Sequence, residues 1–67
     1  MINRNCTYTF TMEIEGNQVK KEGLPGITRS EIYQKQGKEK SYSCIWVEDS
    51  ETGELREAFA YTVKLAK

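Results

Sequence analysis

Apolar and polar residues alternate most regularly near the start of the chain. Cys6, Tyr8, Phe10, Met12 and Ile14 alternate with Thr7, Thr9, Thr11, Glu13 and Glu15. A period of two over ten residues, rich in aromatic and β-branched types, is typical of a strand with one buried face. The pattern therefore predicts a first strand over residues 6–15 whose even-numbered side chains face the core.

A tight turn is predicted directly after this strand, at Gly16-Asn17. Glycine readily adopts the positive φ that two-residue hairpin loops require. Pairing Glu15 with Gln18 would place Ile14 opposite Val19, so that apolar residues face each other across the two strands. The second strand is then short, covering residues 18–22.

A short helix is predicted between the two halves of the sheet. The segment Gly23–Gly26 breaks the second strand, and Thr28 with Glu31 forms the sequence pattern of a capping box. Gly37 provides a stop signal. The predicted helix covers Arg29–Gln36, and because two turns are not stable alone in water, it should dock on the sheet.

Residues 26–33, Gly-Ile-Thr-Arg-Ser-Glu-Ile-Tyr, resemble the turn and the start of the recognition helix in small phage-type helix-turn-helix regulators and excisionases. The resemblance implies that Arg29, Ser30 and Tyr33 would approach DNA. It covers only eight residues. In that family another helix comes immediately before this segment, whereas here a hairpin is predicted, so capping-box chemistry is the preferred interpretation.

Two more strands follow, over Ser41–Glu48 and Leu55–Leu65, separated by a turn. The apolar side of the last strand would consist of Leu55, Phe59, Tyr61, Val63 and Leu65. The expected fold is α+β: one domain over residues 1–67, in ββαββ order, with a four-stranded, mainly antiparallel sheet and one short helix packed on one face.

The third strand is apolar on both faces, so the register of the second hairpin decides which face is buried. A three-residue loop, residues 51–53, would place Ile45 opposite Phe59 and bury Ile45 with Val47. A four-residue loop, residues 50–53, would slip the register by one and turn the other face of the third strand inward. We prefer the three-residue loop, because it gives Gly53 the left-handed position of a bulge turn.

An uncovered sheet face is the best candidate for binding. One helix covers only one face of a four-stranded sheet, so the other face would remain open. In the preferred register this open face carries Tyr42, Trp46, Ala58 and Ala60. Exposed aromatic residues of this kind are typical of contact sites for other macromolecules.

Charge gives a second candidate surface. Ten basic residues balance ten acidic ones, so no overall field favours nucleic acid. The distribution is nevertheless uneven: residues 48–57 are acidic, whereas residues 20–40 are basic. The basic residues of that segment are Lys20, Lys21, Arg29, Lys35, Lys38 and Lys40.

The residue types needed for catalysis are mostly missing. The chain has no His, and Cys6 and Cys44 lie far apart without metal-ligand spacing. We therefore expect free thiols, no metal, no cofactor and no enzymatic activity. No apolar run is long enough to span a membrane, and the first residues lack the apolar stretch of a signal peptide, so we expect a cytoplasmic protein without membrane contact.

Two function hypotheses follow. The first is a small, non-enzymatic module that binds a protein through the open sheet face, either as a homodimer or as a regulator or inhibitor of a larger protein. The alternative is a nucleic-acid-binding protein in which Tyr42 and Trp46 stack on bases and the basic segment contacts the phosphates.

Overall fold

The computed structural model describes residues 2–66, which form six β-strands and one short 3-10 turn but no α-helix. The strands are β1 (Asn5–Ile14), β2 (Asn17–Thr28), β3 (Tyr33–Gln36), β4 (Ser41–Asp49), β5 (Leu55–Phe59) and β6 (Lys64–Leu65). The 3-10 turn, Ala60–Thr62, links β5 to β6. The expected α+β fold with four strands and a helix is therefore wrong, although the antiparallel sheet is confirmed. In the described part of the chain, no helix could cross a membrane.

The sheet is antiparallel throughout and centres on β4. Its strand order is β3-β4-β2-β1-β6, and β5 pairs with β4 as well. Because a strand has only two edges, β3 and β2 share one edge of β4, at residues 41–44 and 47–49, and β5 occupies the other. The sheet curls so that β1 approaches β5: the Arg56 guanidinium lies 4.6 Å from the centre of the Phe10 ring.

The first strand is confirmed, but its turn lies one residue earlier than predicted. Ile14 pairs with Asn17, so the two-residue loop is Glu15-Gly16 rather than Gly16-Asn17. Both loop residues have positive φ, 51° and 79°. This is the backbone of the turn whose twist best matches an antiparallel hairpin. The sequence pattern did not indicate that Glu15 would adopt a positive φ.

The second strand continues far beyond residue 22. The predicted break at Gly23 is a β-bulge, where the pairing shifts register and Gly23 adopts a φ of 68°. Beyond the bulge, Gly26 is buried between β1 and β4. A Cβ atom there would lie 2.5 Å from Val47 Cγ1, so only glycine permits this close approach of β2 to β4.

The predicted helix Arg29–Gln36 is absent, because its capping residue is used elsewhere. Thr28 ends β2, and its hydroxyl accepts a hydrogen bond from the Arg4 backbone N–H, 3.0 Å away. The Arg29 N–H donates to the Trp46 carbonyl, and residues 33–36 pair with β4 as β3. Pairing along β4 satisfies backbone groups that an isolated two-turn helix would leave exposed. The resemblance to a recognition helix fails for the same reason.

The third predicted strand is confirmed as β4, but the preferred register of the second hairpin is wrong. Ile45 pairs with Ala58, and Val47 pairs with Arg56. This is the register of the four-residue loop. Ile45 and Val47 nevertheless face the core, as predicted for the three-residue loop. The slip in register instead reverses β5, so that Ala58 faces inward and Phe59 faces outward.

The core is small and lies between β1, β4 and β5. Its buried hydrophobic cluster comprises Cys6, Tyr8, Ile45, Val47 and Ala58. Cys44 is also buried, and both cysteines are free thiols. Burial raises the pKa of the Cys6 thiol, which favours its neutral form as a packing group.

A polar network crosses the middle of this core. The buried Tyr8 hydroxyl donates a hydrogen bond of 2.5 Å to Asp49 Oδ2, and Arg56 Nη1 lies 3.1 Å from the same hydroxyl. Asp49 Oδ1 accepts bonds from the backbone N–H groups of Glu51 and Thr52. The Tyr8 bond lowers the pKa of Asp49 against the effect of burial, and desolvation, followed by the bond to Asp49, raises the pKa of Tyr8 to about 12.

Removing the Tyr8 hydroxyl should weaken the fold. We expect Tyr8→Phe to lower the free energy of unfolding by roughly 1.5–3 kcal/mol, since a buried bond to a charged group is lost. Tyr61→Phe is the matched control, because Tyr61 is 84% exposed and should have little effect. Urea denaturation followed by circular dichroism measures both. Equal stability of the two variants would show that the network is not stabilising.

The position of the first turn can be tested in the same way. We expect Glu15→Asn to raise the free energy of unfolding by up to roughly 1 kcal/mol, because Asn tolerates the left-handed conformation better than Glu does. Glu13→Asn, on the exposed side of β1, should give no such gain, since Asn is disfavoured in strands. A destabilised Glu15→Asn variant would instead favour a turn at Gly16-Asn17.

Candidate functional site: the outer sheet face

The side of β3, β4 and β5 that points away from the core forms a continuous surface, here named the outer face. Strand pairing places side chains from the three strands next to each other on it. The 3-10 turn adds one more ring at the end of β5. The outer face consists of Tyr33, Lys35, Tyr42, Cys44, Trp46, Glu48, Leu55, Glu57, Phe59 and Tyr61.

Three rings form a ladder at one end of the outer face. The ring centres of Tyr42 and Phe59 are 5.7 Å apart and tilted by 50°, and those of Phe59 and Tyr61 are also 5.7 Å apart but stacked at 19°. Lys40 Nζ lies 5.5 Å from the centre of the Tyr42 ring. These are the ordinary geometries of aromatic and cation–π contacts.

The outer face is unusually apolar for a surface in contact with water. Among residues 2–66, nine large hydrophobic side chains are exposed, and five of them lie on this face. Tyr42 and Trp46 are each 37% exposed, Phe59 is 45% exposed, and Leu55 is more exposed still. A contiguous patch of this kind marks a contact site more often than a solvated surface.

Two ion pairs interrupt the apolar surface: Arg29 with Glu48 beside Leu55, and Lys35 with Glu57 in the middle. The Glu57 carboxylate accepts a hydrogen bond of 2.7 Å from Lys35 Nζ and another from the Tyr33 hydroxyl. The hydrogen bond from Lys35, together with that from Tyr33, lowers the pKa of Glu57. The hydrogen bond to Glu57 in turn raises the pKa of Lys35. Burial, helped by Glu57, raises the pKa of Tyr33 to about 12. The charges in the middle of the outer face therefore neutralise each other.

Two of the four residues predicted to bind a partner lie on this surface. Tyr42 and Trp46 are on the outer face, as expected. Ala58 is buried against Ile45, and Ala60 lies half-buried in the 3-10 turn, so the expected alanine flank is wrong. The reason is the turned-over β5, which places its small residues inward and Phe59 outward.

Sequence reasoning missed Phe59 and Tyr61 as surface residues, and it exposed Tyr33 only through the resemblance to a recognition helix. Phe59 and Tyr61 were placed on the inner side because the odd positions of residues 55–65 are the larger apolar ones. No local signal indicated the observed orientation. Arg56 lies on the same face as Ala58, and a charged residue there is typical of a solvent-facing side; only the structure shows that its side chain reaches Asp49.

The six predicted nucleic-acid contacts do not form one surface. Lys20 and Lys21 lie on the hairpin formed by β1 and β2, and Lys20 Nζ is 3.5 Å from Glu22 Oε1. Arg29 forms an ion pair of 3.4 Å with Glu48. The remaining three, Lys35, Lys38 and Lys40, lie on β3 or in the turn that follows it.

A cleft of about 330 Å³ lies beside the ladder, between the first hairpin and the end of β5. Its walls include Thr11 and Lys20 from the hairpin and Phe59 and Tyr61 from the ladder. The cleft thus extends the outer face around its edge. In the described range 2–66, no three side chains of the metal-binding types come together.

The pKa of Glu57 tests the central ion pair. We expect Lys35→Gln to raise the Glu57 pKa towards its ordinary value of 4.5, because the principal hydrogen-bond donor is lost. In the wild type, the lowered pKa of Glu57 stabilises the folded state above about pH 4.5, and this contribution is lost as the pH falls through the folded-state pKa. Carboxyl carbon NMR measures the titration. Lys38→Gln is the control, and a shift of the same size there would contradict the pairing.

Comparisons of the chain with protein-family models, with curated proteins and with solved structures found no match. What the outer face binds is therefore inferred from the chemistry of its own residues.

Proposed function

We propose that this protein is a small, non-enzymatic binding module that contacts another protein through the outer face. The observation that carries the proposal is the cluster of exposed rings on a regular sheet: Tyr42, Trp46, Phe59 and Tyr61. Tyr, Trp and Phe are the residue types enriched at protein–protein contacts, where they supply large buried areas at little entropic cost.

The arrangement of charge supports a protein partner. The charged groups of the outer face are paired, Lys35 with Glu57 and Glu48 with Arg29, so that their charges cancel. Charged and polar residues lie around it, in the turns that join β3 to β4 and β4 to β5. An apolar centre with a polar rim is the usual composition of protein–protein interfaces.

Nucleic acid is the second candidate, because exposed rings can also stack on bases. The Tyr42–Phe59–Tyr61 ladder, with Lys40 beside it, supports this candidate. Phosphate binding, however, needs clustered cations that are not already paired. Arg29 and Lys35 both lie against carboxylates, and the net charge is zero, so the protein partner is the better-supported proposal.

Photo-crosslinking in the native host tests the proposal directly. Tyr61 is replaced by the photoreactive p-benzoylphenylalanine, which its exposed position should tolerate. We expect an adduct with a polypeptide, because the ring would lie at the edge of the interface. The adduct should be lost when Phe59→Ser and Trp46→Ala are added, since these remove the central apolar contacts.

Two controls make the result decisive. The same photoreactive residue at Gln18, exposed on the first hairpin, should give no adduct above background. Adducts from the Tyr61 position that disappear on nuclease treatment would instead establish the nucleic-acid alternative. Equal yields from both positions, or none from either, would contradict binding through the outer face.

A further inference from the structure

We infer that the partner on the outer face is a second copy of this chain, an inference that rests on the proposed function. The first reason is a missing layer. Sheets in stable domains bury their apolar faces against another layer, commonly a second sheet. Within residues 2–66, Tyr8 of β1 packs against Ile45 and Val47 on the inner side of β4, whereas five large hydrophobic side chains of the outer face remain exposed. Only six hydrophobic residues in this range are buried, and of these only Cys44 belongs to the outer face.

The second reason is charge complementarity along the strands. The turn at one end of the outer face carries Lys38 and Lys40, next to the Tyr42 ring. The turn at the opposite end carries Glu51 and Glu54, both exposed, with Glu54 Oε2 3.5 Å from Arg56 Nη2. Because Glu39 lies between the two lysines, the first turn has a net charge of +1, whereas the second has a net charge of −2. If two copies stack with their strands reversed, each basic end meets the acidic end of the other.

A two-fold axis parallel to the sheet and perpendicular to β5 produces this arrangement. Such an axis reverses the strand direction and keeps β5 above β5. The Phe59 end of one copy then lies over Leu55 of the other, so exposed apolar groups cover each other. Glu57 lies near the axis, where two like charges would repel, but in each copy it is neutralised by Lys35. An interface of this kind is self-complementary, as two-fold symmetry requires.

An interface of ordinary size would cover only a modest part of the chain. A standard interface buries roughly 800 Å² per partner. The accessible surface of the chain is 5024 Å², so about one sixth of it would be covered. Five large exposed hydrophobic side chains on one face can supply the apolar centre of such an area.

Analytical ultracentrifugation of the full chain over a wide concentration range tests the inference. We expect a reversible monomer–dimer equilibrium for the wild type. Two charge-reversed variants, Lys38→Glu with Lys40→Glu and Glu51→Lys with Glu54→Lys, should each weaken self-association at least tenfold. Mixing the two variants should restore association to near the wild-type level, because opposite ends then carry opposite charges again.

The matched control is Glu13→Lys with Lys21→Glu on the first hairpin, which should leave the dimer unchanged. Circular dichroism confirms that every variant is folded, and Phe59→Ser provides a second test that does not depend on charge. A wild-type monomer at all concentrations would overturn the second copy as partner. In that case, a crosslink from Tyr61 to a different polypeptide would still support the proposed function. A dimer insensitive to the charge reversals and to Phe59→Ser would also overturn the inference.

Discussion

The structure depends on one buried polar network, in which Tyr8 and Arg56 both contact the Asp49 carboxylate. The three residues come from β1, β5 and the end of β4, so the network joins the strands that enclose the core. Breaking such a pair leaves an uncompensated charge in a region of low dielectric, which costs far more than an exposed ion pair contributes. In a domain with so few buried apolar residues, this constraint decides how the strands are arranged.

The orientation of β5 follows from that constraint. Arg56 has to face inward to reach Asp49, and its side chain is only 13% exposed. Because side chains alternate along a strand, Ala58 then faces inward too, where its small size fits against Ile45. Leu55, Glu57 and Phe59 are turned outward in consequence. The candidate binding surface thus results from the inward orientation of Arg56. In the opposite orientation of β5, Leu55 and Phe59 would face the core.

The sequence predicted what local periodicity controls. The first strand and β4 were located correctly, and Ile45 and Val47 were correctly placed in the core. The helix was predicted from a capping box at Thr28 and Glu31, which is a local signal. Tertiary pairing overrode it, because β4 offers an edge to which residues 33–36 can bind. The same limitation applies to Gly23 and Gly26, which look like strand breakers but form a bulge and a close strand contact.

The sequence by itself determined the alternation of β1, the two apolar faces of β4 and the absence of histidine chemistry, since each is a property of residue type and spacing. It also placed Tyr42 and Trp46 together on one side of a strand. Only the tertiary structure decided which side of β5 joins them, because that choice depends on Asp49, Tyr8 and Arg56. Tyr8 lies 41 positions and Arg56 lies 7 positions from Asp49 along the chain, and no local pattern shows that the three side chains meet.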